Sequence, residues 1–167
     1  AFGVYINDIA YFNNEWYVAG NFTMFNGVED IAVYRTGTWQ KVGTNDTLQG
    51  SFTNVNDLEI YNNNLIAAGL IMQSQGNVGH GIQSWDGSSW FELGTSLQDW
   101  NNSTANSIQV FDAYPFNGLL YVGGDFSFAG NVPADRFAIW DGSKWCGTND
   151  DFGTWGNVQS ISSFNDT

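Results

Sequence analysis

A short apolar segment that ends in glycine occurs three times in this 167-residue chain. The copies read WYVAG, LIAAG and LYVGG, and they end at Gly20, Gly69 and Gly124. Tryptophans downstream keep nearly the same spacing, at Trp39, Trp90 and Trp145. A repeat of about 50 residues restricts the chain to architectures in which similar supersecondary units pack side by side.

Each repeat contains segments that are typical of four short β-strands. The glycine segment is preceded by INDIAYF, VNDLEIY or IQVFDAY, and a fourth copy of that element, VQSISSF, lies at 158–164. It is followed by IAVYRTGTW, IQSWDGSSW or FAIWDGSKW. Aromatic and β-branched runs separated by Asn and Gly turns indicate antiparallel hairpins, in which these turn residues accept positive φ. The sequence therefore predicts an all-β chain.

A four-stranded sheet cannot bury both of its faces alone, and stacking several such sheets around an axis solves this problem. We therefore predict part of a β-propeller, with blades at about 4–54, 55–107 and 108–157 and the first strand of a fourth at 158–167. The closing glycines are expected where the blades converge and side chains must be small. The aromatic pairs Tyr34/Trp39, Trp85/Trp90 and Trp140/Trp145 are expected to fill the space between blades.

These residues carry a resemblance. The order of apolar strand, Asn-rich turn, LYVGG and IAxWDGxxW is similar to divergent kelch-like β-propeller repeats of secreted and cell-surface proteins, including the fungal cortical polarity-marker family and bacterial surface propellers. The first two repeats depart from that pattern with Ala19-Gly20 and Ala68-Gly69 in place of a glycine pair. Since propellers have four to eight blades, three blades leave two expectations. Either the segment belongs to a longer propeller chain, or a second copy closes a six-bladed ring.

Charge narrows the range of partners. The formal net charge is −13, with only four basic residues, which excludes the basic footprint of a nucleic-acid binder. The longest apolar run is far too short to span a membrane, so no direct membrane insertion is expected. The acidity is consistent with an extracellular or cell-surface location. Asparagines in acceptor sequences for glycosylation are Asn21, Asn45, Asn101, Asn102 and Asn165.

Binding is expected at one end of the blades. The loops between strands 2 and 3, and those between consecutive blades, are long and share that end, where a rigid scaffold usually carries function. Trp100 has no counterpart in the other repeats and lies beside polar residues, so it is a candidate to stack on a sugar or anchor a partner. A structural role as a cap on the blade is the alternative. The predicted ligand-binding residues are Asp99, Trp100, Asn101, Asn102, Asp150 and Asp151.

Catalytic interpretations find little support in the sequence. Asp150 and Asp151 lack the spaced ladder of a calcium loop, and the single histidine, His80, is interpreted as a loop residue. Cys146 has no histidine partner nearby in the sequence, and we expect it to be a buried strand residue rather than a nucleophile. No catalytic residue, metal or cofactor is predicted.

Three functions stay open. The first is a non-catalytic extracellular module of a larger surface, adhesion or secreted scaffold protein that binds a protein or a glycan. The second is the propeller scaffold of a carbohydrate-active or oxidative enzyme whose catalytic residues lie in other blades. The third is a lectin-like sugar binder.

Overall fold

The computed structural model describes residues 5–24, 26–43, 48, 54–74, 77–78, 80–99, 108–148 and 156–164. Within those ranges the chain is all-β: it forms strands and no helix, and therefore no described helix that could span a membrane. The strands are β1 Tyr5–Phe12, β2 Glu15–Thr23, β3 Glu29–Arg35, β4 Thr38–Lys41, β5 Asn54–Tyr61, β6 Asn64–Leu70, β7 Gln73–Ser74, β8 Asn77–Val78, β9 Ile82–Trp85, β10 Trp90–Phe91, β11 Leu97–Gln98, β12 Gln109–Phe116, β13 Leu119–Asp125, β14 Phe128–Ala129, β15 Val132–Pro133, β16 Phe137–Trp140 and β17 Trp145–Gly147.

Each repeat folds into one four-stranded antiparallel sheet, as the sequence predicts. The orders are β1-β2-β3-β4 in the first sheet, β5-β6-β9-β10 in the second and β12-β13-β16-β17 in the third. A fourth sheet of three short strands, β11-β14-β15, is built from loops at one end and is called here the platform sheet. The short hairpin β7-β8 belongs to the same kind of loop in the second repeat.

The turns between the first two strands of each sheet follow from their asparagines. In the first repeat Asn13 and Asn14 have φ values of 49° and 63°, and they separate the paired residues Phe12 and Glu15. Two consecutive residues with positive φ make a type I′ turn, whose twist matches that of the flanking strands. The same geometry recurs at Asn62-Asn63 and Asn117-Gly118.

Consecutive sheets pack face to face through apolar side chains. In each sheet, the trailing face is the face that packs against the next sheet along the chain. The leading face is the opposite face. The trailing face of the first sheet, with Phe12 and Tyr17, shares a core with Leu65 and Trp85 of the second. The trailing face of the second, with Ile66 and Tyr61, shares another core with Leu120 and other residues of the third.

Aromatic pairs anchor both contacts. The rings of Trp85 and Trp90 lie 5.3 Å apart, and Trp90 Nε1 donates to Val42 O of the preceding sheet at 3.3 Å. In the next repeat Trp145 Nε1 donates to Leu93 O at 2.7 Å. Each pair thus buries its rings between sheets, and its second tryptophan donates its indole N–H to the preceding sheet, whereas Nε1 of Trp85 is buried without a hydrogen-bond acceptor among the described residues.

The last described segment, 156–164, lies against the third sheet but is not part of a strand ladder. Among the described residues this segment has no strand partner, so the first strand that the sequence predicts at 158–167 stays a prediction. Its position nevertheless matches that of β5 and β12. Ile161 N donates to Asp112 Oδ2, and Val158 packs against Gly123.

Candidate functional site

A carboxylate near the start of each first strand joins one repeat to the next. Asp8 Oδ2 accepts a hydrogen bond from Leu58 N at 2.8 Å, and Asp57 Oδ2 accepts one from Ala113 N at 2.8 Å. Asp112 completes the series through Ile161 N. The three aspartates thus form a relay, here called the carboxylate relay, in which each carboxylate accepts from the backbone of the following repeat. Such charge-assisted bonds are stronger than neutral ones.

A β-bulge aims these carboxylates. The pairing of the first two strands shifts between Ile6 and Asp8 in the first repeat, and at the same place in the other two. The extra residue re-aims the side chain that follows it. In the first repeat this residue is Asn7, whose Nδ2 donates to Val55 O at 2.9 Å. In the second repeat the equivalent residue is Asn56, whose Nδ2 donates to Val110 O at 2.7 Å.

Sequence reasoning missed the carboxylate relay, although a signal was present. Asp8, Asp57 and Asp112 keep the spacing of the glycine segments, 49 and 55 residues. An acidic residue that recurs at the same position of each repeat, within a strand that packs in the core, is expected to have a hydrogen-bond partner. Here that partner is a backbone N–H of the next repeat.

Burial makes the middle carboxylate of the relay titrate abnormally. Desolvation raises the pKa of Asp57 to about 7, against an ordinary value of 3.8. The hydrogen bond from Ala113 N lowers this pKa, and the negative charges of Asp112, Glu59 and Asp8 raise it further. Burial likewise raises the pKa of Glu59. Elsewhere, burial raises the pKa of Asp30, the second residue of β3, to about 7. Asp57 is therefore about half protonated at neutral pH, which reduces repulsion among its acidic neighbours.

The glycine that ends each repeated apolar segment is required for a different reason from the one that the sequence predicts. A Cβ on Gly20, Gly69 or Gly124 would overlap the carbonyl oxygen of Tyr5, Asn54 or Gln109, each in the first strand of the same sheet. The bulged pairing brings that carbonyl close, so the constraint arises within a repeat. Close packing between repeats instead limits the size of the residue one position earlier, which is Ala19, Ala68 or Gly123. A Cβ on Gly123 would lie 2.5 Å from Val158.

The long loops, which connect the second and third strands of a sheet or lead to the next repeat, contain regular structure where the structure describes them. In the platform sheet, β11 of the second repeat pairs with β14 of the third, Leu97 with Ala129. Backbone bonds extend this link, because Ser127 N donates to Gln98 O at 2.8 Å and Gly130 N to Ser96 O at 2.7 Å. The sheet therefore bridges two repeats and fixes the chain up to Asp99.

Of the predicted binding residues, the structure describes only Asp99, which is half-buried directly after β11. Trp100, Asn101, Asn102, Asp150 and Asp151 lie outside the described residues.

His80 lies beside the platform sheet, with Nδ1 3.3 Å from Leu97 O and Nε2 3.9 Å from Glu92 Oε1. Among the glycosylation candidates, Asn21 is exposed in β2, and Asn45, Asn101, Asn102 and Asn165 lie outside the described residues.

Cys146 contradicts the expectation of burial. It is exposed and unbridged in β17, because Trp145 takes the buried face of that strand and the alternation of side chains turns Cys146 to the other. In the described ranges no three acidic, histidine or cysteine side chains are grouped as metal ligands.

The exposed acidic turns have a local role. Asp86 Oδ1 accepts bonds from Ser88 N and Ser89 N, and Asp141 Oδ1 accepts from Ser143 N and Lys144 N. Each carboxylate thus organises the turn between the last two strands of its sheet, as Asp does in Asx-turns. The hydrogen bond with Ser88 lowers the pKa of Asp86.

Comparisons with known proteins do not assign the chain. No protein-family model matches it, and no curated protein matches it significantly.

Proposed function

We propose that this chain is a non-catalytic β-propeller module, built from kelch-like blades, that binds a protein or a glycan through its long-loop end at the cell surface or outside the cell. The three stacked four-stranded sheets correspond to three blades, and 156–164 corresponds to the start of a fourth. The observation that carries the proposal is the platform sheet, which ties long loops of two repeats into one ordered surface. A rigid scaffold that presents loops is the usual design of a binding module.

The use of the described carboxylates supports a scaffold rather than a catalyst. Asp8, Asp57 and Asp112 join repeats, and Asp86 and Asp141 hold turns. A paired acid and base for glycoside cleavage would instead need two carboxyl groups facing a common cleft. Fold resemblance alone does not give function, so the test has to address the loop end directly.

The experiment uses the purified chain on an array of defined oligosaccharides and of purified cell-surface protein domains. We expect Trp100→Ala to reduce any binding more than tenfold, because a stacking aromatic supplies much of the energy of such sites. Trp16→Ala is the matched control, since Trp16 is half exposed on the first sheet, away from the long loops.

Binding that is equally sensitive to both substitutions would move the site away from the loop end. Chemical turnover of an arrayed oligosaccharide would replace the proposal with the enzyme-scaffold interpretation. An array on which nothing binds would contradict the proposal for the ligand classes tested.

A further inference from the structure

Two asparagines of the sequence are followed directly by glycine, Asn26 and Asn117. An asparagine in this pair loses its side-chain amide readily, because glycine has no Cβ to hinder attack by its own backbone nitrogen. Both pairs follow a phenylalanine and precede an aliphatic residue, in FNGV and FNGL. Their intrinsic reactivities are therefore nearly the same, and both asparagines are exposed. Only their hydrogen bonds distinguish them.

The reacting groups of Asn26 are held by hydrogen bonds. The nucleophile would be Gly27 N, which donates to Met24 O at 2.9 Å. The leaving group would be the amide nitrogen of Asn26, and its Nδ2 donates to Trp39 O at 2.9 Å. The Oδ1 atom of the same amide accepts a bond from Val28 N at 3.4 Å. A reaction at Asn26 therefore requires this loop to open locally first.

Asn117 lacks these restraints. It begins the two-residue turn between β12 and β13, with φ values of 50° at Asn117 and 79° at Gly118. Within the part of the chain that the structure describes, neither the Asn117 amide nor Gly118 N makes a hydrogen bond. A Cβ on Gly118 would meet nothing within 4 Å. The peptide group between the two residues thus has room to turn its nitrogen toward Cγ of Asn117.

The exposure of this turn is a property of the repeat. The equivalent asparagines Asn13 and Asn62 are also exposed, although the trailing faces of their sheets are covered by the next sheet. Those turns continue with Asn14 or Asn63 at the position of Gly118. A side chain there hinders attack by the backbone nitrogen that carries it. Of the three equivalent turns, the third therefore combines an exposed asparagine with an unhindered nucleophile.

We propose that Asn117 is a site of spontaneous deamidation in the folded chain, and that the fold protects Asn26. Gly118 N forms a bond to Cγ of Asn117, the bond from Cγ to Nδ2 breaks, and ammonia leaves with the proton that Gly118 N gives up. The product is a succinimide ring. Water opens this ring at Cγ, which yields aspartate, or at the main-chain carbonyl carbon, which yields iso-aspartate. Water is the other reactant, and nothing is oxidised or reduced.

The two products differ in their effect on the contact between the second and third sheets. Gly118 O accepts a hydrogen bond from Tyr61 Oη of the second sheet at 3.0 Å. Aspartate tolerates positive φ and leaves this bond in place. Iso-aspartate adds one carbon to the main chain within a turn of two residues, so it displaces Gly118 O and loosens the pairing of Phe116 with Leu119. The turn lies at the opposite end of the strands from the long loops, so this reaction is independent of binding there.

The test follows both asparagines in one sample of the whole chain, by mass spectrometry of proteolytic peptides during incubation in a mildly alkaline buffer. We expect Asn117 to convert at least about tenfold faster than Asn26 in the folded chain, because reaction at Asn26 requires hydrogen bonds to break. In urea the two rates should become equal, because the sequences around the two pairs are so similar.

Equal rates in the folded chain, or a faster rate at Asn26, would overturn the proposal. It would also fail if Asn117 stayed intact in the folded chain while urea allowed it to convert. This comparison uses the unaltered chain, so it does not depend on the folding of any variant.

Gly118→Asn is the matched variant, because it restores the Asn-Asn turn of the first two repeats. It should slow conversion at Asn117 by about tenfold or more, since a side chain now hinders the nucleophile. The rate at Asn26 and the midpoint of urea unfolding should not change. Conversion at the original rate would exclude attack by the backbone nitrogen of residue 118 and overturn the mechanism.

Hydrogen exchange tests the effect on the fold. The iso-aspartate form is separated by chromatography and compared with Asn117→Asp, which represents the aspartate product. We expect faster exchange at the Leu119 amide in the iso-aspartate form, and exchange like that of the unaltered chain in Asn117→Asp. The same exchange in both forms would overturn the predicted loosening of the turn.

Discussion

The same aromatic position is exposed in the first sheet and buried in the other two. Tyr34 is 44% exposed on the leading face of the first sheet, whereas Trp85 and Trp140 are 2% and 8% exposed. The local geometry is nearly identical, since Tyr34 and Trp39 have rings 5.2 Å apart and so do Trp140 and Trp145. Strand pairing therefore builds the aromatic pair, and only a preceding sheet buries it.

Truncating the pair on the two kinds of face should have very different effects. We expect Trp85→Ala to lower the free energy of unfolding by about 3 to 5 kcal/mol, because it leaves a cavity between two sheets. Tyr34→Ala removes a partly hydrated ring and should cost about 1 kcal/mol or less. Denaturant unfolding of both variants measures the difference. Equal costs would show that the leading face of the first sheet is covered in solution.

The glycines under the aromatic pairs sharpen the comparison. Gly94 and Gly43 hold equivalent positions with positive φ, but a Cβ on Gly94 would lie 2.8 Å from the Trp140 ring and one on Gly43 would lie 3.6 Å from Trp85. Both alanine variants share the backbone strain. We therefore expect Gly94→Ala to cost about 1 to 2 kcal/mol more than Gly43→Ala, measured by the same unfolding experiment.

If Gly43→Ala cost more than Gly94→Ala, the contact between the second and third sheets would accommodate an added Cβ more easily than the contact between the first and second sheets. Gly118→Ala serves as the control for strain alone, because Gly118 also has positive φ and nothing lies within 4 Å of its added Cβ.

The buried carboxylates should make stability depend on pH. Asp57 and Asp30 both have a pKa of about 7 in the folded chain and an ordinary value of 3.8. The folded state therefore binds more protons between about pH 4 and 7, and stability should fall as pH rises through that window. Asp57→Asn keeps an acceptor for Ala113 N without the charge, so it should flatten the decline and stabilise the chain near pH 7 by about 1 kcal/mol.

Thermal or denaturant unfolding at several pH values checks this expectation. Asp57→Asn combined with Asp30→Asn should remove more of the decline than either substitution alone. A full pH dependence in the double variant would show that other groups carry it. Asp86→Asn is a suitable control, because the pKa of Asp86 is lowered and its contribution falls at acid pH.

The smallest expected effect concerns the thiol on the last strand. Cys146 is exposed, whereas its neighbour Trp145 is buried against the second sheet. We expect a thiol reagent to label Cys146 completely under native conditions, with little change in stability. Labelling that requires denaturant would restore the original expectation of a buried residue.

Much of the local structure could be predicted because it follows from short-range rules. The Asn-Asn and Asn-Gly turns need positive φ, and the apolar runs between them alternate as strands do. The period placed four strands in each repeat, and the structure confirms this arrangement. The carboxylate relay was accessible in principle through the equal spacing of Asp8, Asp57 and Asp112, but only a known bulge explains why the acids are tolerated there.

The sequence by itself determined the all-β class, the three repeats, the turns and the aromatic pairs, because each depends on residues close in the chain. Tertiary structure decided which carbonyl excludes a Cβ at Gly69, which backbone N–H reaches Asp57, and which face of β17 carries Cys146. It also tied the loops of two repeats into the platform sheet. These features depend on register and on contacts between repeats about 50 residues apart, which no local pattern encodes.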